Sequence, residues 1–116
     1  MNKEIKRLIN KAEELDWTIT VEGEDQYLFS KFSPAGQDFN ITVEGEDADE
    51  LIDNIYEVYS NFDVSEETYL WLDESGHGAN GAPYNMRDLY NDMEACEQMI
   101  LELHNKLSDE LSDMQL

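Results

Sequence analysis

The first residues of the chain have the apolar spacing of an amphipathic helix. Apolar side chains fall on one helical stripe at Ile5, Leu8, Ile9, Ala12 and Leu15. The lysines and the arginine between them fall on the opposite side. The pattern therefore predicts a helix over residues 3–15 whose basic side chains face outward.

The next segment alternates apolar and polar positions, which is typical of β-strands. Residues 17–21 (WTITV), Tyr27 to Phe32, and residues 39–43 (FNITV) have this alternation, and they are rich in β-branched and aromatic side chains. Turn-forming residues separate them at 23–25 (GED) and 34–36 (PAG). Two short connections between successive strands predict an antiparallel meander.

Helical spacing returns after the third strand. Apolar residues recur at steps of three and four from Ala48 to Phe62, which predicts a helix over residues 47–61. Asp47 is suited to cap its first turn, and Asp49 and Glu50 suit the positive end of its dipole.

Two further elements complete the predicted fold. Residues 67–72 (ETYLWL) fit a short helix or a fourth strand, and their aromatic and β-branched content favours the strand. From Met86 to Met114 an apolar seam predicts one long C-terminal helix. The expected fold is α+β, of order α-β-β-β-α-(β)-α. A small three- to four-stranded antiparallel sheet packs against helices in a single domain over residues 1–116.

The seam of the last helix has two interpretations. Such a stripe usually packs against the sheet of its own domain, but its narrow width also suits a coiled-coil dimer. We therefore expect either a monomer or a homodimer formed through the C-terminal helix.

One heptapeptide, ITVEGED, occurs twice, at residues 19–25 and 41–47. In a structural interpretation, its isoleucine and valine face a core and its glycine ends a strand. In a functional interpretation, two strands deliver equivalent acidic triplets to the same edge of a sheet.

The charge of the chain restricts the kinds of partner that it can bind. It has 28 acidic residues against 7 lysines and arginines, a formal net charge of −21, and it has no lysine or arginine between Lys31 and Arg87. Such a chain cannot build the basic patch that nucleic acid requires, and an anionic membrane would repel it. With 41% hydrophobic residues it nevertheless has enough apolar side chains for a core.

The single cysteine and the N-terminal residues favour a cytoplasmic protein. Cys96 has no partner for an internal disulfide, and the first residues lack the apolar run of a signal peptide. If the chain is encoded by a phage, the compartment is the cytoplasm of the host bacterium.

The sequence does not indicate an enzyme. Cys96 lies on the apolar seam, where a thiol behaves as a small buried hydrophobic group, and there is no nucleophile elbow or phosphate-binding glycine motif. Paired carboxylates are too common here to mark an acid–base pair. We therefore predict no catalytic residues.

A divalent metal is a weaker hypothesis, and no cofactor is favoured. Asp73, Glu74 and His77 cluster at a glycine-rich loop, and oxygen ligands with one imidazole can hold such an ion. The favoured alternative is that the glycines at 76, 78 and 81 permit positive φ, while His77 and Asn80 bond the backbone of the loop itself.

Carboxylates repeat along the second predicted helix. Glu46, Glu50, Asp53 and Glu57 are spaced to share one face, where neighbours lie ~5–6 Å apart at Cβ and repel by a few tenths of a kcal/mol per pair. This face is either a solvated surface that keeps the protein soluble or an imitation of phosphates. A net charge of only ~2–8 suffices for solubility in a small domain, which favours imitation.

The chain resembles a family of small acidic, phage-encoded anti-CRISPR proteins that inhibit type II-A effector nucleases. Its opening MNKEIKRLINKAEELDWTITVEGED is similar to their short N-terminal helix and first strand. Its residues 90–94 (YNDME) are similar to an acidic segment of the last helix in one such inhibitor. The resemblance implies a protein that evades host defence by occupying the basic, PAM-reading surface of the nuclease.

The resemblance, together with the acidic helix face, assigns a set of partner-binding residues. These are Glu22, Glu24, Asp25, Glu44, Glu46, Asp47, Glu50, Asp53, Glu57, Tyr90, Asp92 and Glu94. The alternative function is an acidic interaction or dimerisation module from a mobile element, without DNA mimicry.

Overall fold

A computed structural model describes residues 2–79 and 81–116 of the chain. In order, the elements are α1 (Lys3–Glu14), β1 (Thr18–Gly23), β2 (Gln26–Phe32), β3 (Asp38–Glu44), α2 (Ala48–Asn61), α3 (Val64–Leu70) and α4 (Met86–Met114). The strands form one antiparallel sheet of order β1-β2-β3, and the fold is α+β as the sequence predicts.

The sheet buries one of its faces against the helices. Phe29 in the central strand is fully buried, with Ile41 beside it in β3 and the partly buried Ile19 beside it in β1. The opposite face carries Thr20, Leu28 and Thr42 in the next row and is much more open to solvent. This arrangement agrees with the predicted alternation of apolar and polar positions.

Helix α4 is the longest element and contacts the other three helices. Its 29 residues span ~43 Å at 1.5 Å per residue, and it packs against α1, α2 and α3. Near its middle, Ile100 and Leu103 are fully buried in the main core. Nearer its beginning, Leu89 and Cys96 form a second buried cluster, which the side chains of Phe39 and Phe62 join to the main core.

The apolar seam of α4, which could have formed a dimer, packs against other elements of the same chain. Its residues from Leu89 to Leu111 are buried against the helices and sheet of the same domain. An apolar stripe that already covers its own core is not free to pair with a second helix. A homodimer would therefore have to use another surface.

The prediction of a fourth strand at residues 67–72 is wrong, because this segment lies mostly in helix α3. Asp63 caps the helix by accepting a hydrogen bond of 3.1 Å from the Glu66 amide. The Thr68 hydroxyl donates 2.7 Å to the carbonyl of Val64, which satisfies it inside the helix, and Thr68 is buried. Packing against α4 thus outweighs the β-propensity of the aromatic and β-branched residues.

Helix α1 holds the far end of α4 through an ion pair. Arg7 lies 2.7 Å from Glu110, which is buried on α4, and Lys11 lies 3.9 Å from the same carboxylate. Two of the cations that the sequence analysis places at the surface therefore neutralise a buried acid.

Candidate partner-binding surface

The two copies of ITVEGED lie on either side of the central strand in the same alignment. Ile19 and Ile41 both stand opposite Phe29, and the next two positions of each copy stay in step along β2. Since β1 and β3 are both antiparallel to β2, both copies finish at the same end of the sheet. Their acidic residues meet there: Glu22, Glu24 and Asp25 from the first copy with Glu44, Glu46 and Asp47 from the second.

The two copies differ in burial. Val43 of the second copy is buried in the core, whereas its counterpart Val21 is 56% exposed. The expectation that both valines face a core is thus wrong for the first copy, because the helices cover β3 more fully than β1.

A backbone contact joins the two acidic triplets. The Gly45 amide donates a 2.9 Å hydrogen bond to the Asp25 carbonyl, and Asp25 takes a left-handed conformation with φ of 57°. Gly45 is buried so tightly that an added Cβ would lie 2.8 Å from Leu51. The start of α2 is therefore held directly against the end of the sheet.

Helix α2 extends the carboxylates away from this junction. Asp47 is its N-cap as predicted, and accepts a 2.8 Å hydrogen bond from the Glu50 amide. Glu46 precedes the cap and so lies outside the helix, which corrects its predicted place on the helical face. Glu50, Asp53 and Glu57 are exposed. We call the nine residues Glu22, Glu24, Asp25, Glu44, Glu46, Asp47, Glu50, Asp53 and Glu57 the acidic surface.

The protein does not neutralise the acidic surface from within. Across residues 2–79 and 81–116, the salt bridges join Arg7 and Lys11 to Glu14 and Glu110, on α1 and α4. None of the nine carboxylates of the acidic surface takes part in them. Like charges at helical spacing therefore repel without an opposing salt bridge, a cost that a cationic partner would relieve.

A groove of about 530 Å³ opens beside the acidic surface, between β3, α2 and α3. Glu44 and Glu57 line it together with Glu67 of α3, a carboxylate that the sequence reasoning missed. Burial raises the pKa of Glu67, with further contributions from the charges of Glu66 and Asp63. Glu67 lines the groove only because residues 64–70 form helix α3. The sequence pattern predicts a strand for this segment and therefore does not place Glu67 there.

The three residues predicted on the last helix lie elsewhere. Asp92 is 5% exposed, and its carboxylate accepts hydrogen bonds from Ser33, Ala35 and Gln37 in the β2–β3 turn. This turn is at the opposite end of β2 from the acidic surface, ~20 Å away at 3.4 Å per residue. The predicted surface role of Asp92 is thus contradicted by its burial.

Tyr90 and Glu94 are exposed on the same part of α4 as Asp92. The position of Asp92 at the far end of β2 separates both residues from the acidic surface. The structure therefore brings together nine of the twelve predicted partner-binding residues and leaves out those on the last helix.

The glycine-rich loop is organised by hydrogen bonds to one of its own side chains. The Asp73 carboxylate accepts hydrogen bonds from the Ser75 hydroxyl and amide and from the His77 amide, which hold the pKa of Asp73 below its usual value. The His77 ring stacks on Tyr84 with 4.0 Å between ring centroids and an interplanar angle of 11°. The Asp73 side chain, and not that of His77, thus bonds the backbone of the loop, which corrects the expected role of the His77 ring.

The loop requires its glycines for two different reasons, backbone conformation at some positions and lack of space for a side chain at another. Gly76 and Gly81 adopt positive φ as predicted, whereas an added Cβ at Gly78 would lie 1.9 Å from the Pro83 carbonyl oxygen. Asn80, the other residue expected to bond the backbone, lies outside the described residues. Within those residues, no group of three His, Cys, Asp or Glu side chains is placed to hold a metal ion.

Comparison with protein-family models, curated proteins and solved structures yields no significant match. In the described part of the chain, no helix has the length and apolarity needed to cross a bilayer. The function must therefore be inferred from the geometry and charge of the chain itself.

Proposed function

We propose that the protein inhibits a DNA-binding nuclease by presenting carboxylates where the nuclease expects phosphates. The acidic surface would occupy a basic groove of the nuclease and exclude the target DNA. The protein acts by binding, without catalysis, in the cytoplasm of a bacterial host. The first partner to test is a type II CRISPR effector, because of the resemblance to phage-encoded inhibitors of these enzymes.

One observation carries this proposal: nine carboxylates converge on one end of the sheet and along α2, with no intramolecular salt bridge among the described residues. Asp25 and Gly45 are joined through the backbone, so the two acidic triplets keep a fixed spacing. A fixed backbone avoids the cost of ordering the chain on binding, which distinguishes this surface from an acidic disordered tail.

The spacing of the carboxylates supports the same proposal. Glu50, Asp53 and Glu57 follow one another at helical intervals of three and four residues, so their Cβ atoms lie ~5–6 Å apart. The DNA duplex also presents closely spaced negative charges, one per ~1.7 Å of helix axis with both strands counted. Arginine and lysine side chains arranged for phosphates can therefore pair with these carboxylates.

A competition experiment tests the proposal. The protein is added to a guide-loaded type II CRISPR nuclease and to a panel of other CRISPR and restriction nucleases, and DNA binding and cleavage are measured at low and high salt. We expect inhibition of at least one nuclease, competition with target DNA, and a steep loss of affinity as salt rises.

The double variant Glu50→Lys with Asp53→Lys identifies the surface responsible. We expect it to lose inhibition, because it places two cations against a basic groove. Its matched control is Asp109→Lys with Asp113→Lys, which makes the same change in net charge on exposed residues of α4. Full inhibition by the α2 variant, or an equal loss in both variants, would reject the proposed surface.

A further inference from the structure

Strand β3 leaves one edge of the sheet open. It pairs with β2 alone, over seven residues in continuous register. The hydrogen bonds from Gly45 to Asp25 and from Ser33 to Gln37 fix which residues of β3 bond to β2. Because bonding residues alternate along an antiparallel pair, Val43 points its backbone groups toward β2 and Thr42 points its own away.

The outward backbone groups of β3 are only partly satisfied. Asn54 of α2 donates a 2.8 Å hydrogen bond to the Glu44 carbonyl, and the Asn40 side chain reaches the Asp38 carbonyl at 3.4 Å. Among residues 2–79 and 81–116, no group bonds the outward amide or carbonyl of Thr42, which is exposed. The middle of the edge thus offers a free donor and a free acceptor.

The two edges of the sheet are protected differently. Edge strands are commonly protected by charged side chains, proline, a bulge or a covering helix, and β3 has such protection only at its ends, from Asp38 and from Glu44 with its bond to α2. On β1 the register shifts between Val21 and Gly23, which is such an irregularity. The sequence of β3, DFNITVE, contains neither lysine nor proline, and its register with β2 is unbroken.

The groove described above lies directly beside this open edge. Thr42, Val43 and Glu44 form its β3 side, Val58 and Phe62 give it apolar surface, and carboxylates of Glu57 and Glu67 stand around it. Alternate side chains of an added strand would enter the groove. A long basic side chain fits best, with its aliphatic stem on the apolar residues and its charge at the carboxylates.

We propose that the β3 edge binds an extended, basic segment of a protein partner, which adds to the sheet as a fourth strand. Backbone hydrogen bonds to Thr42 would provide affinity, and the acidic groove would select the positive charge. A second copy of this chain is disfavoured as the occupant, because each copy has a net charge of −21. The identity of the partner rests on the proposed function, whereas the mode of pairing does not.

The probe is a capped octapeptide of alternating arginine and valine, long enough to follow all of β3. Its control has the same sequence with its central amides N-methylated, which retains the charge but removes the donors. We expect amide exchange at Asn40, Thr42 and Glu44 to slow by about tenfold with the first peptide only, and the methylated peptide to bind about tenfold more weakly.

Equal binding of both peptides, absence of binding, or unchanged exchange at Thr42 would overturn strand addition. A matched pair of variants extends the test: Thr42→Pro removes the outward donor of β3, and Val21→Pro does the same on the β1 edge. We expect only the first to weaken peptide binding, again by about tenfold.

The two proposals fail separately. If the peptide adds to β3 but the Glu50→Lys, Asp53→Lys variant still inhibits the nuclease, the acidic surface is rejected and strand addition stands. If that variant loses inhibition but both peptides bind alike, charge imitation stands and strand addition is rejected.

Discussion

The hydroxyl of Ser33 donates a 2.7 Å hydrogen bond to the carboxylate of Asp92, which lies 59 residues later in the chain. The same carboxylate accepts from the Ala35 amide at 3.0 Å and from the Gln37 side chain at 2.8 Å. A single buried acid thus fastens the β2–β3 turn to the beginning of α4.

Asp92→Ala is expected to destabilise the protein by about 3 kcal/mol, because it leaves buried donors without an acceptor. The measurement is urea unfolding followed by circular dichroism. Glu94→Ala, an exposed change two residues later, is the control and is expected to alter the free energy of unfolding by less than about 0.5 kcal/mol. Equal, small effects of both changes would mean that the turn is held by other contacts.

The repeated heptapeptide allows one substitution to be compared in two environments. At Gly45 an added Cβ would approach Leu51 to 2.8 Å, whereas at Gly23 the nearest atom is a flexible Gln26 side chain at 3.8 Å. We expect Gly45→Ala to cost about 1–3 kcal/mol through overpacking and Gly23→Ala to cost less than about 0.5 kcal/mol. Thermal unfolding of the two variants compares them directly, and a larger cost at Gly23 would contradict the packing described for the α2 junction.

Cys96 is expected to be unreactive in the folded protein. Burial, with the charges of Asp92 and Glu67, raises the pKa of its thiol to about 12, so the reactive thiolate is a very small fraction of the folded protein at pH 8. A thiol reagent should therefore label the native protein only as fast as it opens, and the denatured protein rapidly. Rapid labelling of the native protein would show that the second cluster is open to solvent.

Glu67 makes the stability of the fold depend on pH. Its folded pKa is raised above the ordinary 4.5, mainly by burial, so the folded state binds the proton more tightly than the unfolded state does. Stability from this group is present below the ordinary pKa and is lost as pH rises through the raised one. Glu67→Gln should therefore raise the free energy of unfolding at neutral pH and lose this advantage in acid.

The control for Glu67→Gln is Glu74→Gln, which removes one charge from an exposed residue of the glycine-rich loop. Any acidic residue removed from so negative a chain relieves some general repulsion, and this control measures that contribution. Equal gains in the two variants, with the same pH profile, would show that the environment of Glu67 contributes nothing of its own.

The sequence predicts those elements whose local pattern agrees with their packing. The three long helices and the meander follow from periodicity and turn residues, and the N-cap at Asp47 follows from its residue type. Helix α3 could not be predicted in this way, because Thr68 and its neighbours favour a strand locally. Only the cap at Asp63 and packing against α4 make the segment helical.

The sequence also predicts only part of the candidate partner-binding surface. The convergence of the two acidic triplets follows from a meander in which both copies of the repeat flank the same strand. The burial of Asp92 was missed, although it lies three residues after Leu89 and four before Cys96 and so shares their face of the helix. The groove carboxylate Glu67 could not be found, because its position depends on tertiary packing.

The central strand meets the same ITV side chains on both flanks, and this duplication bears on how the chain folds. Either hairpin brings the same Ile-Thr-Val side chains opposite Tyr27, Leu28 and Phe29, although β3 pairs over seven residues and the pairing of β1 has a register shift. The turn that joins β1 to β2 is the shorter of the two, and its closure costs less chain entropy. The first copy therefore reaches β2 at the lower entropic cost of the two.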